Sequence, residues 1–141
     1  MSGVTVATAP GKLFLTGEYV VLGGAPALVL AVDRRARVEV TLGAGPLVVD
    51  SVADGTSDEI RDALADELPG GDARAVVAAI RSLGLGRLGG RVSVDSGDFL
   101  AGGRKLGLGR SAAALVAAAA ACLAARDAYS AARTLDAAVA G

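Results

Sequence analysis

The segment Gly107-Leu108-Gly109-Arg110-Ser111-Ala112-Ala113 joins a glycine-rich turn to a long apolar run that reaches Ala125. It predicts a helix that begins near Arg110 or Ser111, whose first N–H groups have no partner within the helix. Glycines let the backbone approach a ligand closely, and these N–H groups lie at the positive end of the helix dipole. The segment therefore indicates a phosphate-binding loop. From these residues alone, the alternative is a tight turn before a core helix.

The composition limits the class of protein. The chain has 141 residues, of which 52% are hydrophobic, and a formal net charge of -1. A chain of this size can bury a core as one domain, and it lacks the basic surface that nucleic-acid binding requires. Histidine is absent, which excludes Ser-His and Cys-His catalytic pairs and histidine-ligated metals within this chain. Any metal would need oxygen ligands.

The apolar run around Cys122 is the strongest candidate for a membrane segment. It lies between Arg110 and Arg126 and is mostly alanine, so it falls short of the roughly 20 strongly apolar residues that span a bilayer. The N-terminus also lacks the pattern of a secretory signal. We therefore expect a cytoplasmic protein without membrane or nucleic-acid partners, in which Cys122 is a small buried apolar side chain.

Alternating and continuous apolar patterns predict strands, and a period of three to four residues predicts helices. Strands are predicted at 4–9 and 12–16 around an Ala9-Pro10-Gly11 turn, at 27–32 as a fully buried strand, and at 38–42, 47–49 and 91–95. Thr56 and Glu59 fit a capping box, which predicts a helix that ends at Pro69. A second helix is predicted from Asp72, with an apolar stripe at Val76, Val77, Ile80 and Leu83. The pattern favours an α+β fold in which helices cover a sheet.

Three phosphate-binding patterns compete for the glycine-rich turn. A Walker A run is absent from the sequence. Gly107-x-Gly109-x-x-Ala112 satisfies the relaxed dinucleotide fingerprint, but that pattern belongs in a tight strand-turn-helix with an acidic residue on a second strand. Here the preceding strand ends well before the turn, and the acidic residue at the expected distance, Asp127, follows the same helix. The third pattern involves a second segment.

Ala9-Pro10-Gly11-Lys12-Leu13-Phe14-Leu15-Thr16-Gly17-Glu18-Tyr19-Val20-Val21-Leu22 resembles the first motif of the GHMP kinases, the family of galactokinase, homoserine kinase, mevalonate kinase and phosphomevalonate kinase. The segment 107–113 resembles the ATP-phosphate loop of that family. The resemblance covers most of 4–125 and implies an α+β domain like the second domain of ribosomal protein S5, which contains a left-handed βαβ unit. It also implies that 1–141 is the N-terminal ATP-binding domain without the family's C-terminal domain.

Within this family, Gly17-Glu18-Tyr19 and Lys105-Leu106-Gly107-Leu108-Gly109 are most similar to the phosphomevalonate kinases. The resemblance implies ATP and Mg²⁺ as cofactors and a small phosphorylated acceptor, 5-phosphomevalonate, as the partner that becomes 5-diphosphomevalonate. One alternative is mevalonate kinase or another small-molecule kinase of the family. A second alternative is an inert nucleotide-binding module.

The resemblance also implies roles for individual residues. Lys12 is the expected catalytic residue, which neutralises charge near the transferred phosphoryl group, and Glu18 and Tyr19 are expected to line the acceptor pocket. Ser111 is expected to offer its hydroxyl to Mg²⁺. Apart from the resemblance, a serine at the start of a helix is expected to cap it. The expected ATP-binding residues are Lys105, flanked by Arg104, and the loop residues Gly107, Leu108, Gly109, Arg110, Ser111 and Ala112.

The chain departs from the family pattern in two ways. Arg110 replaces the first serine of the usual Gly-Leu-Gly-Ser-Ser-Ala-Ala loop, so its guanidinium either pairs with a phosphate or repels Mg²⁺. Family members are also about twice as long, and the acids that serve as base and metal ligand normally lie beyond this point. Asp127 and Asp136 follow the loop, but neither lies in a family context. A surface left open by the missing half is expected to drive self-association.

Overall fold

The computed structural model describes residues 3–65, 67–126 and 139. Its strands, in chain order, are β1 Val4–Thr16, β2 Leu28–Leu42, β3 Leu47–Ser51, β4 Thr56–Ile60, β5 Gly90–Asp95, β6 Leu100–Ala101 and β7 Arg104–Lys105. Its α-helices are α1 Gly71–Ser82, between β4 and β5, and α2 Arg110–Ala125, after β7. Short 3₁₀ helices occupy Val20–Gly23 and Gly97–Phe99.

The main sheet has five strands in the order β1-β2-β5-β3-β4. Neighbouring strands pair antiparallel except β3 and β5, which are parallel and are connected through β4 and α1. The strands β6 and β7 form a separate hairpin just before α2. This arrangement confirms the predicted α+β fold.

The core lies between one face of the sheet and the two helices. Val38 and Val40 of β2 and Val92 and Val94 of β5 are buried, and α2 packs against β1, β2 and α1. The buried face of α2 is mostly alanine, which lets the helix approach the sheet closely. On the opposite face of the sheet, polar and charged residues alternate with these valines, as expected for a sheet that is wet on one side.

The helices predicted before and after β5 are both confirmed. The helix α1 spans Gly71–Ser82 with Val76, Val77 and Ile80 buried, and α2 begins at Arg110 as predicted. Cys122 is fully buried among the alanines of α2, and burial raises the pKa of its thiol to about 12. It is therefore a small apolar side chain in the described fold, as expected.

The helix predicted between Thr56 and Pro69 is wrong. Thr56–Ile60 forms the edge strand β4, which pairs with β3 from Leu47 opposite Ile60 to Ser51 opposite Thr56. Asp54-Gly55, with Gly55 at φ 66°, lies in the turn between the two strands, and Asp-Gly is a typical hairpin turn. Strand pairing outweighed the helical spacing of the apolar residues.

Two strand predictions need correction at the other edge of the sheet. The predicted turn at Pro10-Gly11 is instead a register irregularity within one continuous strand, β1. The segment 27–32 was predicted to be fully buried, but Leu28, Val29 and Leu30 are 53%, 43% and 45% exposed. They lie beyond the region where β2 pairs with β5, so among the described residues only β1 pairs with this part of β2.

No helix in the described part of the chain is long and apolar enough to cross a bilayer.

Candidate phosphate-binding site

The loop before α2 has the backbone shape of an anion cradle. Gly107 and Gly109 adopt left-handed conformations with φ 72° and 78°, which favour glycine. Gly109 is the N-cap residue, and no side chain caps the helix. The first helical hydrogen bond runs from the Ala113 N–H to the Gly109 carbonyl at 3.0 Å. The N–H groups of 110–112 therefore have no partner within the helix and are available to an anion.

Ser111 does not cap the helix as predicted, because it lies inside the first turn and Gly109 occupies the cap position. Ser111 and Ala112 are both exposed at this helix end. The hydroxyl of Ser111 therefore lies beside the cradle and is accessible to a ligand.

Lys12 lies against this loop. Its N–H donates to the Leu108 carbonyl at 2.8 Å, which joins β1 directly to the glycine turn. Its aliphatic chain crosses Gly109, where an added Cβ would lie 2.9 Å from the Lys12 Cγ. The ammonium stands 4.3 Å from the centroid of the Phe14 ring, a cation–π contact. The structure thus brings together the two segments that the sequence analysis singled out.

Gly11 belongs to the predicted turn and to the first motif, but no role in the site was predicted for it. A Cβ there would overlap the Leu108 carbonyl oxygen and would lie 2.5 Å from a ring carbon of Phe99. Glycine is therefore needed for β1 to approach the loop. Because it stands next to Lys12, this close approach also sets the position of the lysine.

A pocket of about 500 Å³ opens beside the cradle, between α1 and α2. It is lined by apolar side chains and by polar and charged ones, which include Asp72, Arg74, Lys105, Arg110 and Ser111. Three of these are cationic, and the exposed N–H end of α2 lies at the same place. The pocket is therefore suited to a ligand with both an apolar part and negative charge.

Arg110 turns its side chain inward, away from solvent. The guanidinium donates through Nε to Ser96 Oγ at 2.8 Å and through Nη2 to Asp54 and Asp72 at 2.7 and 3.1 Å. The hydroxyls of Ser96 and Ser51 each donate to the same Asp72 oxygen at 2.8 Å. Asp72, Ser96 and Ser51 are all buried. We call these five residues the Arg110 network.

The charges in the network stabilise one another. The hydrogen bond from Arg110 holds the pKa of Asp54 below its usual value, although burial acts to raise it. The hydrogen bond with Ser51 and the positive charge of Lys105 also lower this pKa. Burial by itself would lower the pKa of Arg110, but hydrogen bonds and charge from Asp54 and Asp72 raise it. The network therefore holds one cation between two carboxylates.

The other predicted site residues lie in several places. Lys105 is exposed in β7 and lines the pocket, whereas Arg104 beside it is exposed but does not line it. Glu18 and Tyr19 are exposed just before the 3₁₀ helix Val20–Gly23, and neither lines this pocket. Asp127 and Asp136 lie outside the described residues.

The cradle offers backbone N–H donors to an anion, and the Ser111 hydroxyl is a side-chain oxygen beside it. No group of three or more Asp, Glu, Cys or His side chains in the described ranges is arranged to hold a metal ion. Mg²⁺ usually keeps several waters and binds through one or two protein oxygens together with substrate phosphates. The Ser111 hydroxyl matches that mode of binding.

Solved structures share this fold. A phosphomevalonate kinase from Streptococcus pneumoniae, in complex with phosphomevalonate and AMPPNP, has 20% sequence identity and a TM-score of 0.68 over 89% of this chain. The Lin0012 protein from Listeria innocua has 24% identity and a TM-score of 0.73 over 98%. The Methanococcus jannaschii mevalonate kinase has 17% identity and a TM-score of 0.71 over 91%.

This chain spans 38%, 41% and 42% of the lengths of those three structures. No protein-family model and no curated protein matches the sequence. At these identities the likeness concerns the fold. It confirms, at that level, the resemblance inferred from the two motifs: the chain has the fold that the phosphomevalonate kinase and mevalonate kinase structures share.

Proposed function

We propose that this chain is the nucleotide-binding part of a GHMP-type small-molecule kinase, with 5-phosphomevalonate as the acceptor. The observation that carries the proposal is the contact between Lys12 and Gly109, supported by the hydrogen bond from Lys12 to Leu108. This contact between the lysine of one motif and the glycine loop of the other supports the proposal. The reaction transfers the γ-phosphoryl group of ATP to the phosphate of the acceptor, leaving ADP and 5-diphosphomevalonate.

In this proposal, the protein acts by positioning and by neutralising charge. The N–H groups of 110–112 and the side chain of Lys105 hold the nucleotide phosphates, and the pocket between α1 and α2 takes the rest of the nucleotide. The Lys12 ammonium leaves its contact with Phe14 to meet the negative charge of the transferred group. Mg²⁺, bound through the Ser111 hydroxyl and phosphate oxygens, would supply further charge neutralisation.

Glu18 and Tyr19 are proposed to contact the acceptor. They come just after the end of β1 and are exposed, so they are accessible to a molecule that lies over the end of this strand. We propose a cytoplasmic location for the reaction, because ATP is available there.

The hydrogen bonds of Arg110 favour a second candidate, a nucleotide-binding module without turnover. Asp54 and Asp72, which border the loop, both accept hydrogen bonds from Arg110. The hydrogen bond from Arg110 lowers the pKa of Asp54, so Asp54 is a poor base.

The test measures ADP release by the full 141-residue chain with Mg-ATP, offering 5-phosphomevalonate and mevalonate in parallel. Turnover with 5-phosphomevalonate that Lys12→Ala abolishes supports the proposed kinase. Arg61→Ala, which removes an exposed cation paired with Glu59, is the control and should retain full turnover. Turnover with mevalonate alone refutes the proposed acceptor. Binding of Mg-ATP without turnover supports the binding module, and absence of binding refutes both.

A further inference from the structure

We propose that Arg110 is a positioning residue for the phosphate cradle and not a ligand of the phosphate. Its guanidinium fixes the first turn of α2 to the rest of the fold through the Arg110 network. This inference rests on the proposed nucleotide binding and deepens it, because it assigns a role to the residue at which the loop departs from the family pattern.

The network joins segments that are distant in sequence. Ser51 ends β3, Asp54 lies in the β3–β4 turn, and Asp72 opens α1. Ser96 follows β5, and Arg110 begins α2. One guanidinium therefore ties the start of the phosphate-binding helix to the end of the sheet and to the start of the helix across the pocket.

The hydrogen-bond donors and acceptors at Ser96 and Asp72 match one another. Ser96 Oγ accepts from Arg110 Nε and donates to Asp72, so its donor and one acceptor site are both used. Asp72, which is 4% exposed, accepts from Ser51, Ser96 and Arg110. A carboxylate this deeply buried needs such partners, since an unpaired buried charge is strongly destabilising.

The charge balance explains why Arg110 contributes little attraction for a phosphate. The Arg110 side chain is only 14% exposed, and its positive charge faces two carboxylates. The net charge of the network is therefore negative. The attraction for an anion at this helix end then comes from the backbone N–H groups and from Lys12, Arg74 and Lys105, while Arg110 holds those N–H groups in place.

The two possible roles of Arg110 predict opposite effects of Asp54→Asn. If Arg110 bound the phosphate, removing the Asp54 charge would free the guanidinium and tighten nucleotide binding. If Arg110 positions the helix, the same change loosens the first turn of α2 and weakens binding. Asp54 is about one-third exposed, at 33% of its side chain, so the substitution is compatible with folding.

The experiment measures Mg-ATP affinity of the full chain by calorimetry, and hydrogen exchange of the Ala113 amide without ligand. We expect Asp54→Asn to weaken Mg-ATP binding roughly tenfold, a change of about 1.4 kcal/mol, and to speed exchange at Ala113. Asp50→Asn is the matched control, because Asp50 is also a partly buried carboxylate but binds Ser57 and Arg91. It should leave both measurements unchanged.

Unchanged exchange at Ala113 in Asp54→Asn would overturn the positioning role, and tighter Mg-ATP binding without faster exchange would assign Arg110 to the phosphate. Arg110→Lys and Arg110→Met add a second test: the lysine, which keeps the charge, should restore part of the affinity that the methionine loses. If the unmodified chain binds no Mg-ATP, the proposed function fails, and the exchange measurement alone decides whether Arg110 fixes the start of α2.

Discussion

The aliphatic chain of Lys12 lies across Gly109, so closely that a Cβ on Gly109 would come within 2.9 Å of the Lys12 Cγ. This contact joins the two segments on which the proposed function depends. It also makes the requirement for glycine at this position testable, because Gly107 has a similar left-handed backbone but no heavy atom within 4 Å of an added Cβ.

We expect Gly109→Ala and Gly107→Ala each to lower the free energy of unfolding by about 1–2 kcal/mol, the cost of a left-handed alanine. Gly109→Ala alone displaces Lys12, so it should lose more nucleotide binding or turnover than Gly107→Ala. Urea denaturation and Mg-ATP titration of both variants measure the two effects. Equal losses of binding in the two variants would show that the contact with Lys12 has no functional role.

The ion pair of Asp54 with Arg110 should make the stability of the protein depend on pH. The pKa of Asp54 is held below the ordinary value of 3.8, first by the hydrogen bond from Arg110. A carboxyl group with a lowered folded-state pKa stabilises the fold above its unfolded pKa, and this contribution is lost as the pH falls through the folded-state pKa. Asp54→Asn should therefore cost about 1 kcal/mol or less at pH 7, and the difference from the unmodified protein should shrink below about pH 4.

Urea denaturation between pH 7 and pH 3 measures this difference. Asp33→Asn serves as the control, because the Asp33 side chain is 99% exposed and its ion-pair distance to Arg35 is 3.7 Å. A gap between Asp54→Asn and the unmodified protein that stays constant with pH would contradict the ion pair as its cause.

Cys122 should be unreactive in the folded protein. Burial raises its pKa to about 12, and its relative exposure is 0%. Iodoacetamide at pH 8 should therefore label it only after unfolding in guanidinium chloride, as detected by mass spectrometry. Rapid labelling of the native protein would show that α2 opens readily.

Two substitutions of Cys122 separate the effect of side-chain volume on stability from the effect of side-chain polarity. We expect Cys122→Ser to be less stable than Cys122→Ala by about 1–3 kcal/mol, because serine buries a hydroxyl in an apolar site. Thermal denaturation of the two variants provides the comparison. Equal stability would indicate that the serine hydroxyl finds a partner, such as a backbone carbonyl in the preceding turn.

The end of β1 and the start of β2 extend past β5, and their exposed apolar side chains predict self-association of the chain. Leu13 and Leu30 lie opposite each other there and are 38% and 45% exposed, and Leu22 in the adjoining 3₁₀ helix is 89% exposed. A two-stranded ribbon with exposed apolar side chains on an edge strand is prone to pair with another chain. We expect a concentration-dependent increase in mass by light scattering.

Leu30→Lys should lower that association several-fold, because it places a charge in the centre of the apolar ribbon. Val4→Lys is the matched control, since Val4 is 61% exposed at the opposite end of β1. A clean monomer of the unmodified chain at all concentrations would refute the predicted association.

The sequence alone determined the features that depend on neighbours along the chain. The glycines at 107 and 109 and the apolar run after them predicted the loop and the start of α2, because backbone conformation and helical period are local properties. The motif around Lys12 likewise indicated a site residue. Alternating apolar residues predicted the half-buried part of β2, since the two faces of a strand differ in burial.

The tertiary structure decided what depends on partners far away in sequence. Ile60 and the leucines that follow it recur at helical spacing. The strand β4 forms instead because the backbone of this segment pairs with β3. The segment 28–30 is as apolar as a buried strand, but its exposure is set by where β5 ends. The partners of Arg110 come from residues 51–96, so the sequence of the loop left open whether its guanidinium faces a ligand or the protein. Three-dimensional packing placed that charge inside the fold.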